Sequence, residues 1–328
     1  MTEYLAAKTL EYSRDSPKLV IASASGSTNS NKDIGSFSTN NHEEADTLMI
    51  YLAVSATRRN DSNIQLTFFS PDTDVLVLAI ANYDLLPKNT AVSMTSGILQ
   101  IEPLWNILGS EKAKALPALH AFSGADTTGR FSRVGKATWF KIFLEADDDI
   151  INALKMLLDD PYVNEEQQKC LAKFVCAAYC PKGIQIRNLS ELRWHMFCKY
   201  MAESNKLPPT EGALKQHIDR VHVLSRVWGQ ASIAQQVFLD PLKNGYFMDD
   251  KGQLKPTTTD VLPAPKAILE MVNCNCKGDC LTKKCACRSE SLPCTDICHG
   301  SVHVQCENDE DTRTENQDSV DSDAESGE

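Results

Sequence analysis

The sequence of 328 residues lacks any apolar run that could cross a bilayer. Its most apolar stretch, residues 66–86, is interrupted by Pro71, Asp72 and Asp74, whereas a membrane-spanning helix needs about 20 consecutive apolar residues. The first twenty residues are polar and mixed in charge, so they do not have the pattern of a secretory signal peptide. We therefore expect a soluble, intracellular protein without a membrane partner.

Excess acidic charge is also absent from most of the chain, although the formal net charge is −11. Residues 307–328 contain ten acidic residues and one arginine, which leaves only about −2 for the other 306 residues. This Ser/Asp/Glu-rich stretch cannot bury enough apolar surface to fold, so we predict a disordered acidic tail. The nearly neutral body does not exclude a nucleic-acid partner.

Cysteine is plentiful but unevenly placed, because eight of the twelve cysteines lie between Cys274 and Cys306. In a secreted domain this density would indicate disulfides, but disulfides rarely persist in a reducing compartment. The crowded segment is therefore predicted to bind metal. A disulfide knot and unstructured thiols are the alternatives.

The spacing of these cysteines favours a metal cluster over a single site. Zinc takes four thiolate or imidazole ligands in a tetrahedron. The two sulfurs of a Cys-x-Cys pair are too close together to complete one simple site comfortably, so two such pairs favour thiolates that bridge several zinc ions. Four cations lie among the cysteines, where they offset thiolate charge and can contact phosphates: Lys277, Lys283, Lys284 and Arg288.

This segment resembles the tesmin-type CXC domain, a DNA-binding module with nine cysteines around three zinc ions. The resemblance implies that zinc is held by Cys274, Cys276, Cys280, Cys285, Cys287, Cys294 and Cys298, with Cys306 as a further candidate. The family continues with another Cys-x-Cys-x2-Cys, whereas here His299 or His303 could replace the missing thiolate. The tyrosine that family members insert into the minor groove is Lys284, which favours phosphate contact over base reading.

Strand and helix patterns alternate in the first part of the chain. Apolar residues recur at helical spacing from Ala45 to Ala56, residues 64–69 are predicted to be a strand, and Ser70 and Pro71 are predicted to open a buried helix. The alternation continues through residues 92–94, 99–108 and 113–122, which predicts an α/β sheet layer. After Lys136 the strand patterns nearly vanish, and helices are predicted at residues 150–158, 165–179, 189–202 and 211–227.

These patterns predict five segments. They are an α/β domain at residues 1–145, a mainly α-helical extension at 146–235, a proline-rich linker at 236–271, a small irregular zinc module at 272–306 and the acidic tail at 307–328.

Acidic residues stand where the predicted elements begin or end: Glu44, Asp46, Asp72, Asp74 and Asp126. Each can have a purely structural role. Asn41 and Glu44 have the spacing of a capping box, and the aspartates can stabilise a helix start or a turn. Together they indicate a shared binding site, because loops after strands meet at one edge of an α/β sheet, where ligands bind. Carboxylates gathered there favour Mg²⁺ or Mn²⁺, which support phosphodiester cleavage.

The order of these acidic motifs resembles the PIN-like fold of the flap-endonuclease superfamily over residues 40–145. The resemblance implies a three-layer α/β domain in which the five acidic residues are catalytic, and in which Arg130, Arg133 and Lys136 grip the nucleic-acid backbone. Two further aspartates of the family have no good counterpart here, so the N-terminal part of the domain is expected to be truncated or the domain to have lost catalysis. The motifs, with a cysteine-rich tail, also resemble animal proteins of mobile-element character.

Three functions follow as hypotheses. The favoured one is a zinc-containing DNA-binding protein of the nucleus whose PIN-like domain is catalytically degenerate. The first alternative is a structure-specific nuclease dependent on Mg²⁺ or Mn²⁺. The second alternative is a protein–protein interaction scaffold that zinc holds together.

Overall fold

The chain divides into two compact units, Met1–Thr259 and Asp260–Glu328. The computed structural model describes residues 2–24, 27–33, 39–59, 65–181, 183–200, 206–259, 261, 273–276, 280–294, 298 and 308. Each unit has its own buried cluster: aliphatic and aromatic side chains in the first, and cysteines in the second.

Helices and strands alternate along the first unit up to residue 124. The elements that follow are mainly helices. In chain order they are α1 (Thr2–Tyr12), β1 (Ile21–Ala24), β2 (Ser27–Ser30), α2 (Ala45–Arg59), β3 (Leu66–Phe69), α3 (Thr73–Ala81), β4 (Thr90–Met94), β5 (Gly97–Gln100), α4 (Ile101–Gly124), α5 (Lys136–Glu145), α6 (Asp148–Asp159), α7 (Glu165–Tyr179), α8 (Leu189–Tyr200), α9 (Glu211–Gly229), β6 (Tyr246–Met248) and β7 (Leu254–Pro256). The second unit has one short helix, α10 (Ala286–Ser289), in its described part.

The central sheet has three strands among the described residues, in the order β3-β4-β5. Strands β3 and β4 are parallel, with Phe68 opposite Val92, and β5 joins β4 antiparallel through a turn at Gly97. The predicted mixed α/β unit followed by helices is confirmed. The finer PIN-like, three-layer arrangement stays a prediction.

Helix α3 is the buried centre of the first unit. Val75, Leu78 and Ala79 have no exposed surface, as expected for a helix that is apolar nearly all round. Helix α4 packs against α3, α6 and α9, and it bends at Gly109, whose φ is 74°. The sequence predicted two separate elements at residues 99–108 and 113–122, whereas the chain forms the short strand β5 and then this one bent helix.

An aromatic cluster connects α4, α5, α7 and α9. Its neighbouring ring centroids lie 4.8–6.0 Å apart, and its members are Phe122, Phe131, Trp139, Phe174 and His217. The predicted helices of the extension therefore pack on the α/β part through a continuous core.

Residues 241–257 form a turn and a hairpin that rest on α9. Arg220 of α9 donates from Nη1 to Gly245 O at 3.2 Å and to Thr257 O at 2.7 Å. Tyr246 Oη donates to Thr127 O at 2.9 Å. These contacts lie in the first part of the predicted linker; most of its remainder, and the acidic tail apart from Asn308, fall outside the described residues. The five-segment division stays a prediction.

No helix in the described ranges is both long and apolar enough to cross a membrane.

Candidate metal centres

Three aspartates come together at the beginnings of two helices. Asp46 lies in the first turn of α2, Asp72 is the N-cap of α3, and Asp74 lies in the first turn of α3. One carboxylate oxygen from each lies within 4.8 Å of the other two. Asp72 is exposed, while Asp46 and Asp74 are half-buried.

Local hydrogen bonds fix the two aspartates of α3. Ser70 Oγ accepts from Asp72 N–H at 3.1 Å, and Asp72 Oδ1 accepts from Asp74 N–H at 3.0 Å. The prediction that Ser70 caps this helix with Pro71 as its first residue is wrong. The cap is Asp72 because its carboxylate reaches an unpaired N–H of the first turn, and the helix starts at Thr73.

Glu44 lies beside the three aspartates and is held from another part of the chain. Trp228 Nε1 donates to Glu44 Oε2 at 3.0 Å. Burial raises the pKa of Glu44; the hydrogen bond from Trp228 opposes this, and the charges of Asp46 and Asp74 add to it.

The segment before α2 is clasped to residues 233–236. His42 Nε2 donates to Ile233 O at 2.8 Å, and His42 Nδ1 lies 2.9 Å from Thr47 Oγ1. Asn41 Oδ1 accepts from Gln236 N–H at 2.7 Å, and Asn41 Nδ2 donates to Gln236 O at 2.9 Å. The capping-box interpretation of Asn41 and Glu44 is therefore wrong, because the Asn41 side chain binds Gln236 and the Glu44 side chain binds Trp228 instead.

His120 and Lys136 form the other wall of the cluster. His120 Nε2 lies 2.8 Å from Asp74 Oδ1, and Lys136 Nζ lies 2.8 Å from the same ring nitrogen. The hydrogen bond from His120 lowers the pKa of Asp74 and outweighs the effect of burial. Burial lowers the pKa of Lys136, while the charges of Asp74, Asp126 and Asp72 raise it. His120 and Trp228 were not identified from the sequence, which has no local motif for either.

The remaining predicted residues of this region are not part of the group of three aspartates. Asp126 is exposed and does not belong to the group of three, although its charge acts on Lys136. The turn that follows α4 is capped by Thr128, whose Oγ1 accepts from Ala125 N–H at 2.8 Å. Arg130 and Arg133 are exposed, and Arg133 has a φ of 62°.

An apolar groove of about 540 Å³ adjoins the cluster between α3, α4 and α5. His120 and Lys136 form its polar end, and side chains such as Leu76, Leu108 and Phe140 line the rest. Lys136 lines this groove and keeps exposed surface.

The electrostatics of the carboxylates suit a divalent cation. Burial, followed by the charges of Asp72 and Asp74, raises the pKa of Asp46. A cation between these groups would remove the repulsion, and carboxylate oxygens are the ligands that Mg²⁺ and Mn²⁺ prefer. Asp46, Asp72 and Asp74 therefore fit a hard metal ion.

The second centre consists of seven cysteines in two overlapping groups of four. One group is Cys274, Cys276, Cys280 and Cys285; the other is Cys274, Cys287, Cys294 and Cys298. Within each group the sulfurs lie within 4.8 Å of one another, and Cys274 belongs to both.

The distances between these sulfurs suit zinc rather than disulfides. Neighbouring sulfurs lie 3.5–3.9 Å apart, whereas a disulfide bond is about 2.05 Å long. A zinc tetrahedron with bonds of about 2.3 Å places its sulfurs about 3.8 Å apart. None of the described cysteines is disulfide-bonded. The cysteine cluster can therefore bind zinc, and the shared Cys274 matches the expectation of a bridging thiolate.

Backbone and side-chain donors surround the sulfurs. Burial favours the neutral thiol of Cys285, but hydrogen bonds, including one from the Arg288 N–H, outweigh it and lower the pKa of Cys285 to about 7. Burial raises the pKa of Cys287 to about 12. Asn308 is fully buried and donates from Nδ2 to Cys294 Sγ at 3.3 Å. Asn308 belongs to the stretch that the sequence predicts to be a disordered acidic tail.

Other predicted residues of the zinc module are only partly described. Lys283 and Lys284 are exposed and Arg288 is half-buried. Lys277 and the candidate ligands His299, His303 and Cys306 lie outside the described residues, so their roles stay predictions.

Comparisons of the chain with protein-family models, with curated proteins and with solved structures gave no match.

Proposed function

We propose that the chain is a zinc-containing nucleic-acid-binding protein, with DNA as the expected partner and the nucleus as its location. The observation that carries the proposal is the cluster of seven sulfurs at zinc-like distances, with cationic side chains between its ligands. A protein–protein scaffold would use the same zinc-stabilised structure without contacting phosphates.

Zinc would have a structural role in this module. Residues 273–308 contain too few apolar side chains for a conventional core, and their buried cluster is made of cysteines. Metal–thiolate bonds therefore supply the folding free energy that such a segment otherwise lacks. Because Cys274 belongs to both groups, loss of its sulfur would damage both sites, whereas loss of Cys276 or Cys298 would damage one.

The cations of the module support binding to phosphates. Lys283 and Lys284 directly precede Cys285, so the cluster holds their backbone in place while their side chains remain in solvent. Lysine is a flexible point charge that suits phosphate contacts and carries little sequence information. The module is thus proposed to grip the nucleic-acid backbone.

Duplex-DNA affinity measured as a function of salt tests this function. The full chain should lose affinity steeply as salt rises, and the Lys283→Gln/Lys284→Gln variant should show a slope shallower by about two units. Lys251→Gln/Lys255→Gln, two exposed lysines outside the module, is the matched control. Zinc-loaded protein that binds no DNA, or binds it without salt dependence, would leave the scaffold as the better description.

A second candidate function is metal-dependent nuclease activity, which the convergence of Asp46, Asp72 and Asp74 favours. These carboxylates would hold Mg²⁺ or Mn²⁺, which activates water and stabilises the leaving oxygen in phosphodiester hydrolysis. His120 orients Asp74, Trp228 orients Glu44, and the ammonium group of Lys136 provides a positive charge at the edge of the cluster for a phosphate oxygen.

The nuclease is tested with the Asp72→Asn/Asp74→Asn variant in a DNA-cleavage assay containing Mn²⁺. The unmodified chain should cleave, and the variant should lose both cleavage and Mn²⁺ binding measured by electron paramagnetic resonance. Asp249→Asn/Asp250→Asn, in the hairpin turn, is the charge-matched control. If the unmodified chain binds Mn²⁺ but never cleaves DNA, the site is a metal site without nuclease activity.

A further inference from the structure

Asn308 fixes the point where the acidic tail leaves the zinc module. Cys294 N–H donates to Asn308 O at 2.6 Å, and Asn308 Nδ2 donates to Leu292 O at 3.1 Å and to Cys294 Sγ at 3.3 Å. The side chain is fully buried. The residues that follow Asn308 therefore start at the cysteine cluster itself.

Those residues bring a dense negative charge to the module. Residues 309–328 contain nine acidic residues and one arginine, a net charge of −8. Consecutive Cα atoms are about 3.8 Å apart, so Asp309, Glu310 and Asp311 stay within about 11 Å of Asn308 in every conformation. This distance is close to the screening length of about 8–10 Å in physiological salt.

The cations of the module are attached to the same cluster. Lys284 directly precedes Cys285, and Cys285 Sγ lies 3.8 Å from the Sγ of Cys294, the residue that Asn308 contacts. Lys283 and Lys284 are exposed, and Arg288 follows on α10. The start of the acidic segment and the proposed phosphate-binding residues are therefore anchored around one pair of sulfurs.

We propose that residues 309–328 compete with nucleic acid for Lys283, Lys284 and Arg288, and so weaken binding by the zinc module. This inference rests on the proposed function and adds its regulation. A segment joined directly to its binding site acts at an effective concentration of roughly millimolar, which makes even a weak contact persistent. Duplex DNA has one charge per about 1.7 Å of its axis, a higher charge density than that of the tail. DNA therefore displaces the tail, but the competition lowers the affinity of the module for DNA.

The test compares three full-length proteins in duplex-DNA binding at about 50 mM and about 500 mM salt. They are the unmodified chain, a variant whose nine acidic residues at 309–328 become Asn or Gln, and a variant with the same tail residues in permuted order. We expect the neutralised variant to bind about tenfold more tightly at low salt and within twofold at high salt. The permuted variant should match the unmodified chain, because charge and not sequence makes the contact.

Zinc content per chain, measured by native mass spectrometry, must be equal in all three proteins, which shows that the module is intact. Equal, salt-dependent affinities of the neutralised and unmodified chains would overturn the competition and leave the proposed function standing. If none of the three proteins binds DNA, the proposed function fails, and the inference fails with it.

Carbodiimide cross-linking separates direct contact from general repulsion of DNA by negative charge. Amide bonds should form between tail carboxylates and Lys283 or Lys284, and added DNA should suppress them. Cross-links from the tail only to lysines of residues 1–259 would contradict the proposal, because the tail would then occupy a different surface.

Discussion

His217 shows how burial changes the chemistry of a single side chain. It lies inside the aromatic cluster, donates from Nε2 to Phe122 O at 2.9 Å and has its pKa lowered by burial from 6.5 to about 4. The folded state therefore binds fewer protons than the unfolded state between these two pH values. Stability from this group is complete above about pH 6.5 and is lost as the pH falls toward about 4.

Replacing His217 with Gln should flatten the acid side of the stability profile. The shift corresponds to about 3 kcal/mol in the free energy of unfolding between pH 7 and pH 4. Burial lowers the pKa of His222 as well, so the variant should keep part of the pH dependence. Urea unfolding from pH 4 to pH 7 measures the difference, and parallel profiles of variant and unmodified protein would contradict the prediction.

The hydrogen bond from Trp228 to Glu44 links one residue of the extension to the carboxylate cluster. In Trp228→Phe an aromatic ring remains, but it is smaller and the N–H is lost, so the pKa of Glu44 should rise further. A raised folded-state pKa means that stability is greatest below the unfolded pKa and falls as the pH rises through the folded value. We expect the variant to lose about 1–2 kcal/mol at pH 7 and less below about pH 4.

Trp139→Phe is the matched control for the loss of ring volume. Trp139 is fully buried, and its Nε1 has no hydrogen-bond partner among the described residues. Trp139→Phe should therefore lower the stability by the same amount at pH 4 and at pH 7. Thermal unfolding of both variants at pH 4 and pH 7 separates the two effects.

At the scale of elements, the helices were largely predictable and the contacts that orient the site were not. The apolar spacing of α2, α6, α7 and α9 locates these helices to within a few residues, because each buries one face. The start of α3 was misjudged because Ser70 and Asp72 are both good caps, and only the path of the backbone decides between them. The four-residue strand β5 is too short for its alternation to distinguish it from the start of α4.

The hairpin β6–β7 depends on a glycine at its contact with α9. Gly245 has a φ of 78°, and a Cβ there would lie 2.6 Å from Gln216 O. Gly252 in the same hairpin has a φ of 71° but open space around it. Gly245→Ala should therefore destabilise the first unit by about 3 kcal/mol or more, and Gly252→Ala by about 1–2 kcal/mol. Urea unfolding measures both, and equal effects would mean that the hairpin shifts to accommodate the methyl group.

At the scale of the whole molecule, the two units draw stability from different sources. All four tryptophans belong to the first unit, while the buried cluster among the described residues of the second unit consists of cysteines. A strong chelator should expose about seven thiols to a thiol reagent and leave the urea midpoint of tryptophan fluorescence unchanged. Re-addition of zinc should protect the thiols again. Thiols that stay protected in chelator would contradict zinc ligation.

The two sites differ in how far the sequence could define them. The cysteine cluster was predictable because its sulfurs belong to residues within a stretch of 25, and their spacing alone brings them together. The carboxylate cluster was predictable only as three short motifs. His120, Trp228 and the clasp of His42 on Ile233 come from distant parts of the chain, where no local pattern indicates a contact. Asn308 was missed because its acidic surroundings resemble a segment that does not fold.

The clasp between residues 41–42 and 233–236 has a consequence for the order of folding. Its hydrogen bonds join positions 191–195 residues apart, and the Trp228–Glu44 bond spans 184. Contacts of such long range form slowly, since closing a long loop costs entropy before any bond forms. The aspartates of α3 can form their local hydrogen bonds early. The segment that carries Glu44 and Asp46 reaches its final position only after α9 and residues 233–236 have packed against it. A fragment ending before residue 228 would keep the acidic motifs and lose the arrangement that makes them a site.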